Sequence, residues 1–189
     1  MANGGIPTTF LDIHCDSFYL TFSEEKDGWE EDAFRQSGTW KCKLRSRDSK
    51  YLTLNGNGHF QFENFTGEQF TIYTYQSTAL DEGTHRGAVM LYVSKGQQKM
   101  VACCRNDSEV YAKAMEPPTD VTETSDEALF YMERLSAHDT YQFQSTLHPG
   151  CFLGFQPDDK NASRHKLVLI RGKDNVDCYC PLQMMKKLD

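Results

Sequence analysis

Two groups of residues in this chain have the types and spacing to take part in chemistry. His14-Cys15-Asp16 places a base, a nucleophile and a carboxylate side by side. Neighbours on a strand point to opposite faces, so three consecutive residues do not assemble a catalytic triad. The second group is Trp29-Glu30-Glu31-Asp32, followed by Ala33. It has the form of a protease substrate. A cationic subsite would clamp the Asp32 carboxylate, an apolar subsite would take Trp29, and the small Ala33 would ease access to the bond. No GxSxG, HExxH, P-loop or GxGxxG pattern occurs, and no Cys/His spacing suits zinc. Asp158-Asp159-Lys160 reads as a solvated loop rather than a cation site. The residues give no positive sign of an enzyme and imply no cofactor.

The Asp32 boundary coincides with a break in charge. The chain has 189 residues and a formal net charge of −7, from 20 Lys+Arg and 27 Asp+Glu. Residues 1–32 hold eight of the acids and one base, Lys26, so they carry the whole −7 and the other 157 residues sum to zero. The acidic balance disfavours nucleic acid as a partner. No apolar run reaches the roughly 18 residues of a membrane span, which points to a soluble chain. The first residues lack a basic and then apolar signal pattern. Residues 1–32 therefore read as a pro-segment, with Phe10–Phe22 apolar enough to dock as strands and Glu24–Asp32 as an exposed acidic linker. The length suits a single monomeric domain over 33–189.

Seven cysteines, two of them adjacent, read as reduced thiols that in part fill core space. The three Asn-x-Ser/Thr triplets at Asn64, Asn106 and Asn161 read as turn formers.

From residue 40 onward the pattern alternates with period two. It predicts strands at 40–45, 51–55, 59–64, 70–75, 88–94, 99–104, 109–114, 128–135, 141–145, 151–155, 166–171 and 178–183. Asn/Gly, Lys-Gly and Pro-Gly turns separate them, and a short turn is expected near 125–128. Twelve short strands make an all-β barrel or sandwich, and the number suits a β-trefoil of three four-strand units. On the first strand Lys41, Lys43 and Arg45 share one face and Trp40, Cys42 and Leu44 the other. Arg47 and Lys50 extend the basic face, which would meet an acidic partner.

Tyr141-Gln142-Phe143-Gln144-Ser145, followed by Pro149-Gly150-Cys151-Phe152-Leu153, resembles the signature of the interleukin-1 cytokine family. Arg86-Gly87-Ala88-Val89, Cys104-Arg105-Asn106, Met115-Glu116-Pro117-Pro118, Phe130-Tyr131-Met132-Glu133-Arg134 and Lys166-Leu167-Val168-Leu169 extend the resemblance along the chain. It implies a β-trefoil made in the cytosol as an inactive precursor. An inflammatory caspase would cut after Asp32, and the product would leave by an unconventional route. That product would bind a heteromeric immunoglobulin-domain receptor, or a soluble decoy binding protein at the same surface, and would induce interferon-γ. By the same resemblance Arg45, Asp48, Phe65, Asp158 and Asp159 fall at the primary-receptor surface, and Lys113 and Glu127 at the accessory-receptor surface. Ser49 and Gly67 stand where the family pattern carries Asp. The segment 156–164 is longer than the pattern expects and reads as a loop. Alternatives are a trefoil binding module of the lectin, inhibitor or growth-factor type, and an intracellular member of the same family. A growth factor would want a strongly basic face, and a lectin visible repeats.

Overall fold

The computed structural model describes residues 33–64, 67–78, 87–106, 108–136, 139–171 and 180–186. Trp29, Glu30, Glu31, Asp32, Phe65, the 14–16 triplet and the expected strands within 10–22 lie outside them.

Thirteen strands and no helix occur among the described residues. They are β1 (Phe34–Ser46), β2 (Tyr51–Leu54), β3 (Phe60–Glu63), β4 (Phe70–Ser77), β5 (Ala88–Lys95) and β6 (Gln98–Cys104). They continue with β7 (Val110–Ala114), β8 (Asp120–Val121), β9 (Phe130–Ser136), β10 (Thr140–Ser145), β11 (Cys151–Asp158), β12 (Asn161–Arg171) and β13 (Leu182–Lys186). Six of them close a ring by antiparallel pairing, in the order β1, β4, β5, β9, β10, β13 and back to β1. The hairpins β2–β3, β6–β7 and β11–β12 lie between ring strands in the sequence. They meet one another through the β12–β3 pairing and a bridge between Glu109 and Val168. Ring strand, hairpin, ring strand, three times over, is the β-trefoil, and it excludes the open sandwich that the alternation alone allowed. Closure leaves the six ring strands with no free edge over their paired lengths.

β8 is the thirteenth strand. It is too short to show a period, and it pairs its two residues with Phe34 and Arg35 at the start of β1. Gln156–Arg164 is not an open loop: β11 and β12 run on as a ladder to a turn at Asp159-Lys160, with a register shift after Pro157. The last strand starts at Leu182, later than the period suggested. Cys180 and Pro181 precede it, and a proline without an N–H suits the entry to a strand better than its interior.

The core has two parts. The larger fills the ring and its cap, with Leu44, Leu52, Phe62, Phe70, Ile72, Leu91, Phe130, Phe143, Leu153 and Leu182. The smaller sits behind β5 and contains Phe34, Tyr75, Met90, Tyr92, Val101, Cys103, Val121 and Leu129. β5 divides its side chains between them, Val89, Leu91 and Val93 to the first and Ala88, Met90 and Tyr92 to the second. A strand covered on both faces needs an unbroken apolar run, and Ala88–Val93 supplies one.

Candidate functional site

Strand β1 sets the first group of candidate residues. Its inner positions Cys42, Leu44 and Ser46 are buried, so Lys41, Lys43 and Arg45 face outward. Arg45 lies opposite Gln183 of β13, and its Nε donates to Gln183 Oε1 at 3.0 Å. The guanidinium is thus laid across the barrel wall by the strand register.

The chain then turns through Arg47, Asp48 and Ser49. Ser49 adopts φ 60°, and its N–H donates to Ser46 O at 3.0 Å. The turn aims two charges at His165 of β12. Lys50 Nζ stands 3.2 Å from His165 Nε2, and Asp48 Oδ2 stands 3.8 Å from His165 Nδ1. The imidazole is 7% exposed and stacks on Phe155 with ring centroids 5.5 Å apart. Burial holds its pKa below the usual value, Lys50 pushes the same way, and Asp48 opposes them. The ring is therefore neutral at pH 7. Its Nε2 lone pair accepts from the Lys50 ammonium, which leaves the proton on Nδ1, facing Asp48.

The next residue on β12 holds an acid. Lys166 Nζ lies 3.4 Å from Asp158 Oδ1, which also accepts from the Lys160 N–H at 3.1 Å. The Lys160 N–H and then Lys166 keep Asp158 below the ordinary carboxylate range. Arg164 Nε lies 3.4 Å from Glu63 Oε1 on β3. Asp158 is thus anchored on β12, whereas Asp48 only faces the neighbouring His165, whose buried Nδ1 makes no hydrogen bond. Asp159 is exposed in the hairpin turn.

A separate group forms on the β6–β7 hairpin. Tyr111 and Lys113 alternate onto one face of β7. Glu127 takes both: Oε1 accepts from Lys113 Nζ at 2.6 Å and Oε2 from the Tyr111 hydroxyl at 2.6 Å. The backbone holds this acid in place, because Glu127 O accepts from the Cys104 N–H at 2.8 Å. The Arg105 guanidinium covers the Tyr111 ring at 4.6 Å from its centroid, and Arg105 Nη1 pairs with Glu109 at 3.2 Å. The hydrogen bond to Glu127, then burial, pushes the Tyr111 phenol up to about 12. Lys113 and then Tyr111 lower the Glu127 pKa. The arrangement is a fixed array of cation, phenol and carboxylate suited to docking.

Other sequence candidates have structural roles. Cys42, Cys103, Cys104, Cys151 and Cys180 are buried. Burial pushes Cys103 and Cys104 up to about 12, which makes both poor nucleophiles. Asn106 Oδ1 accepts from the N–H groups of Ser108 and Glu109, and Asn161 Oδ1 from that of Ser163, so both triplets close turns. Among the described residues no group of three or more His, Cys, Asp or Glu side chains is placed to hold a metal ion.

Sequence reasoning missed Tyr111 and His165. Tyr111 was within reach, two positions before Lys113 on an alternating strand. His165 was not, because its partners come from a turn more than a hundred residues earlier.

Comparison with known proteins agrees with the fold. The sequence profile described as Interleukin-1 / 18 matches residues 61–176. The chain is 25% identical to interleukin-18 of Rattus norvegicus over 172 residues, covering 86% of this chain and 84% of that protein. It is 24% identical to interleukin-18 of Capra hircus, covering 89% and 88%. Among solved structures, chicken interleukin 1 beta superimposes with a TM-score of 0.62 at 15% identity, covering 81% of this chain and 99% of that one. That last likeness concerns the fold, while the profile match spans more than half of the sequence. The chain belongs to the interleukin-1/18 family of cytokines.

Proposed function

We propose that this chain is the precursor of a secreted interleukin-18-type cytokine, with residues 1–32 as pro-segment and 33–189 as the active domain. It is made in the cytoplasm. An inflammatory caspase cuts after Asp32, and the product leaves by an unconventional route. That product binds a two-chain immunoglobulin-domain receptor and induces interferon-γ through NF-κB-type signalling. It works by binding alone, with no catalytic step. Arg45, Asp48, Phe65, Asp158 and Asp159 engage the primary receptor chain, where a soluble interleukin-18-binding protein competes, and Lys113 and Glu127 engage the accessory chain.

The observation that carries the activation step is the boundary at Asp32. All of the net charge lies before it, and the first ring strand opens at Phe34 just after it. Family membership supports the receptor reading. Incubating the full-length chain with an inflammatory caspase and sequencing the new N-terminus tests it. A single cut yielding Ala33, abolished in Asp32→Ala, is expected, together with interferon-γ release from receptor-bearing cells by the cut form only. An intact chain, a cut elsewhere or an equally active precursor would overturn the reading.

A further inference from the structure

We propose that strand β1 gates its own activation: the residues after the Asp32–Ala33 bond become available to a protease only when Ala33–Gln36 peels away from β4 and β8. The inference deepens the activation step proposed above and rests on it.

A protease takes its substrate as an extended strand, so the backbone edges beside the bond must be free. Here they are occupied. Ala33 O accepts from the Thr78 N–H at 3.1 Å, and the Gln36 N–H donates to Thr119 O at 2.7 Å. Between them Phe34 and Arg35 pair with Ser77 and Gln76 of β4 on one edge and with Val121 and Asp120 of β8 on the other. The Phe34 side chain is 3% exposed and belongs to the smaller core cluster with Tyr75 and Val121. Arg35 Nε is tied to Asp120 Oδ1 at 2.9 Å. No protease strand can be added to these residues while the ladder stands.

Cutting therefore proceeds through a local opening, and its rate follows the population of the open form. The weak side of the lock is β8. Two residues long, it depends on Val121 entering the smaller core, on one exposed ion pair, and on the hydrogen bonds that Thr119 O and Pro118 O accept from the Gln36 N–H and the Tyr75 hydroxyl. The gate makes activation sensitive to the stability of this one corner rather than to the whole fold.

The test uses the full-length chain and measures caspase kcat/KM for cleavage at Asp32. Val121→Ala and Asp120→Ala lie outside the peptide that the protease reads, so they change the lock and not the recognition sequence. Val121→Ala is expected to raise kcat/KM by roughly tenfold, through loss of buried methyl groups. Asp120→Ala should raise it by about twofold, as loss of an exposed pair implies. Hydrogen exchange at the Gln36 and Thr78 amides should accelerate by matching factors. Asp120 is a surface site, so its variant remains informative if Val121→Ala folds poorly. Faster exchange with unchanged cleavage would overturn the gate, and so would unprotected Gln36 and Thr78 amides in the parent chain. If the parent and both variants all resist cutting at Asp32, the activation reading falls and takes the gate with it.

Discussion

Ser49 and Gly67 are the two positions where the family pattern carries an acid and this chain does not, and both have positive φ, 60° and 62°. They differ in what an added side chain would meet. At Gly67 a Cβ would lie 2.5 Å from Tyr51 Cβ and 3.0 Å from its Cγ. These are the inner atoms of a residue held on β2 by pairing with Glu63 and Arg45, so they cannot swing aside. Gly67→Ala therefore combines about 1–2 kcal/mol for a left-handed non-glycine residue with about 1–3 kcal/mol for overpacking. A loss of roughly 2–5 kcal/mol lowers the melting temperature by about 5–15 °C for a domain of this size. Gly67→Asp should lose at least as much. Ser49 is exposed in a turn whose left-handed conformation Asp adopts readily, so Ser49→Asp should stay within about 0.5 kcal/mol of the parent. Thermal and urea unfolding of the two variants side by side, with unchanged urea m-values, decide the matter. If Gly67→Ala lies within about 1 kcal/mol of the parent, the contact with Tyr51 is not rigid and the reasoning fails.

Other expectations follow from the two charged arrays and the core. His165 is held neutral by burial and Lys50, below its ordinary pKa of 6.5. The unfolded chain therefore takes up a proton that the folded chain refuses, and stability present above pH 6.5 is lost as the pH falls through the folded value. Urea midpoints between pH 8 and 5 should fall for the parent and flatten in His165→Gln; equal slopes would contradict the lowered His165 pKa. For the Lys113–Glu127 pair, half-exposed on the Lys113 side, a double-mutant cycle with Ala should give a coupling of about 0.2–1 kcal/mol that fades in 1 M salt. A coupling above about 2 kcal/mol would mean that the array is far drier than its exposure indicates. Cys103 and Cys104 should resist iodoacetamide at pH 8 until the fold is opened by denaturant. Labelling in the native state would refute their burial.

The strand pattern was readable because most of the wall is covered on one face only. β1 alternates buried Cys42, Leu44 and Ser46 with outward Lys41, Lys43 and Arg45, and period two reports that directly. The exception was readable for the opposite reason, since Ala88–Val93 is apolar throughout and is buried on both faces. β8 and the far end of the β11–β12 hairpin escaped. Asp120–Val121 exists as a strand because Phe34 and Arg35 lie beside it, 85 residues away for the Arg35–Asp120 pair. Asn161–Arg164 is exposed at every position, so its strand character comes from the ladder and leaves no trace in polarity. Closure was equally out of reach: a sandwich and a trefoil need the same alternation, and only the pairing of β13 with both β1 and β10 completes the ring.

The same distinction governs the candidate surfaces, and it bears on how docking should be tested. Charges such as Lys41 and Lys43 were visible as members of a face, and the face is real. Charges whose role depends on a partner were visible only as types. Asp48 and Asp158 carry the same formal charge, yet one faces the Nδ1–H of a neutral imidazole and the other is shared between a lysine and a backbone N–H. Replacing Asp158 by Ala frees Lys166 and unpins the Asp159-Lys160 turn, so its effect on receptor binding mixes a lost contact with a moved hairpin. Replacing it by Asn keeps an acceptor for the Lys160 N–H and removes the charge, and with it the ion pair to Lys166. If binding survives Asn but not Ala, the hairpin's position matters to the receptor. If both abolish binding, the receptor needs the charge at this position, through the carboxylate or the Lys166 it pairs with. For a domain of zero formal net charge, this separation of charge from scaffold is what gives an electrostatic map of the receptor surface its meaning.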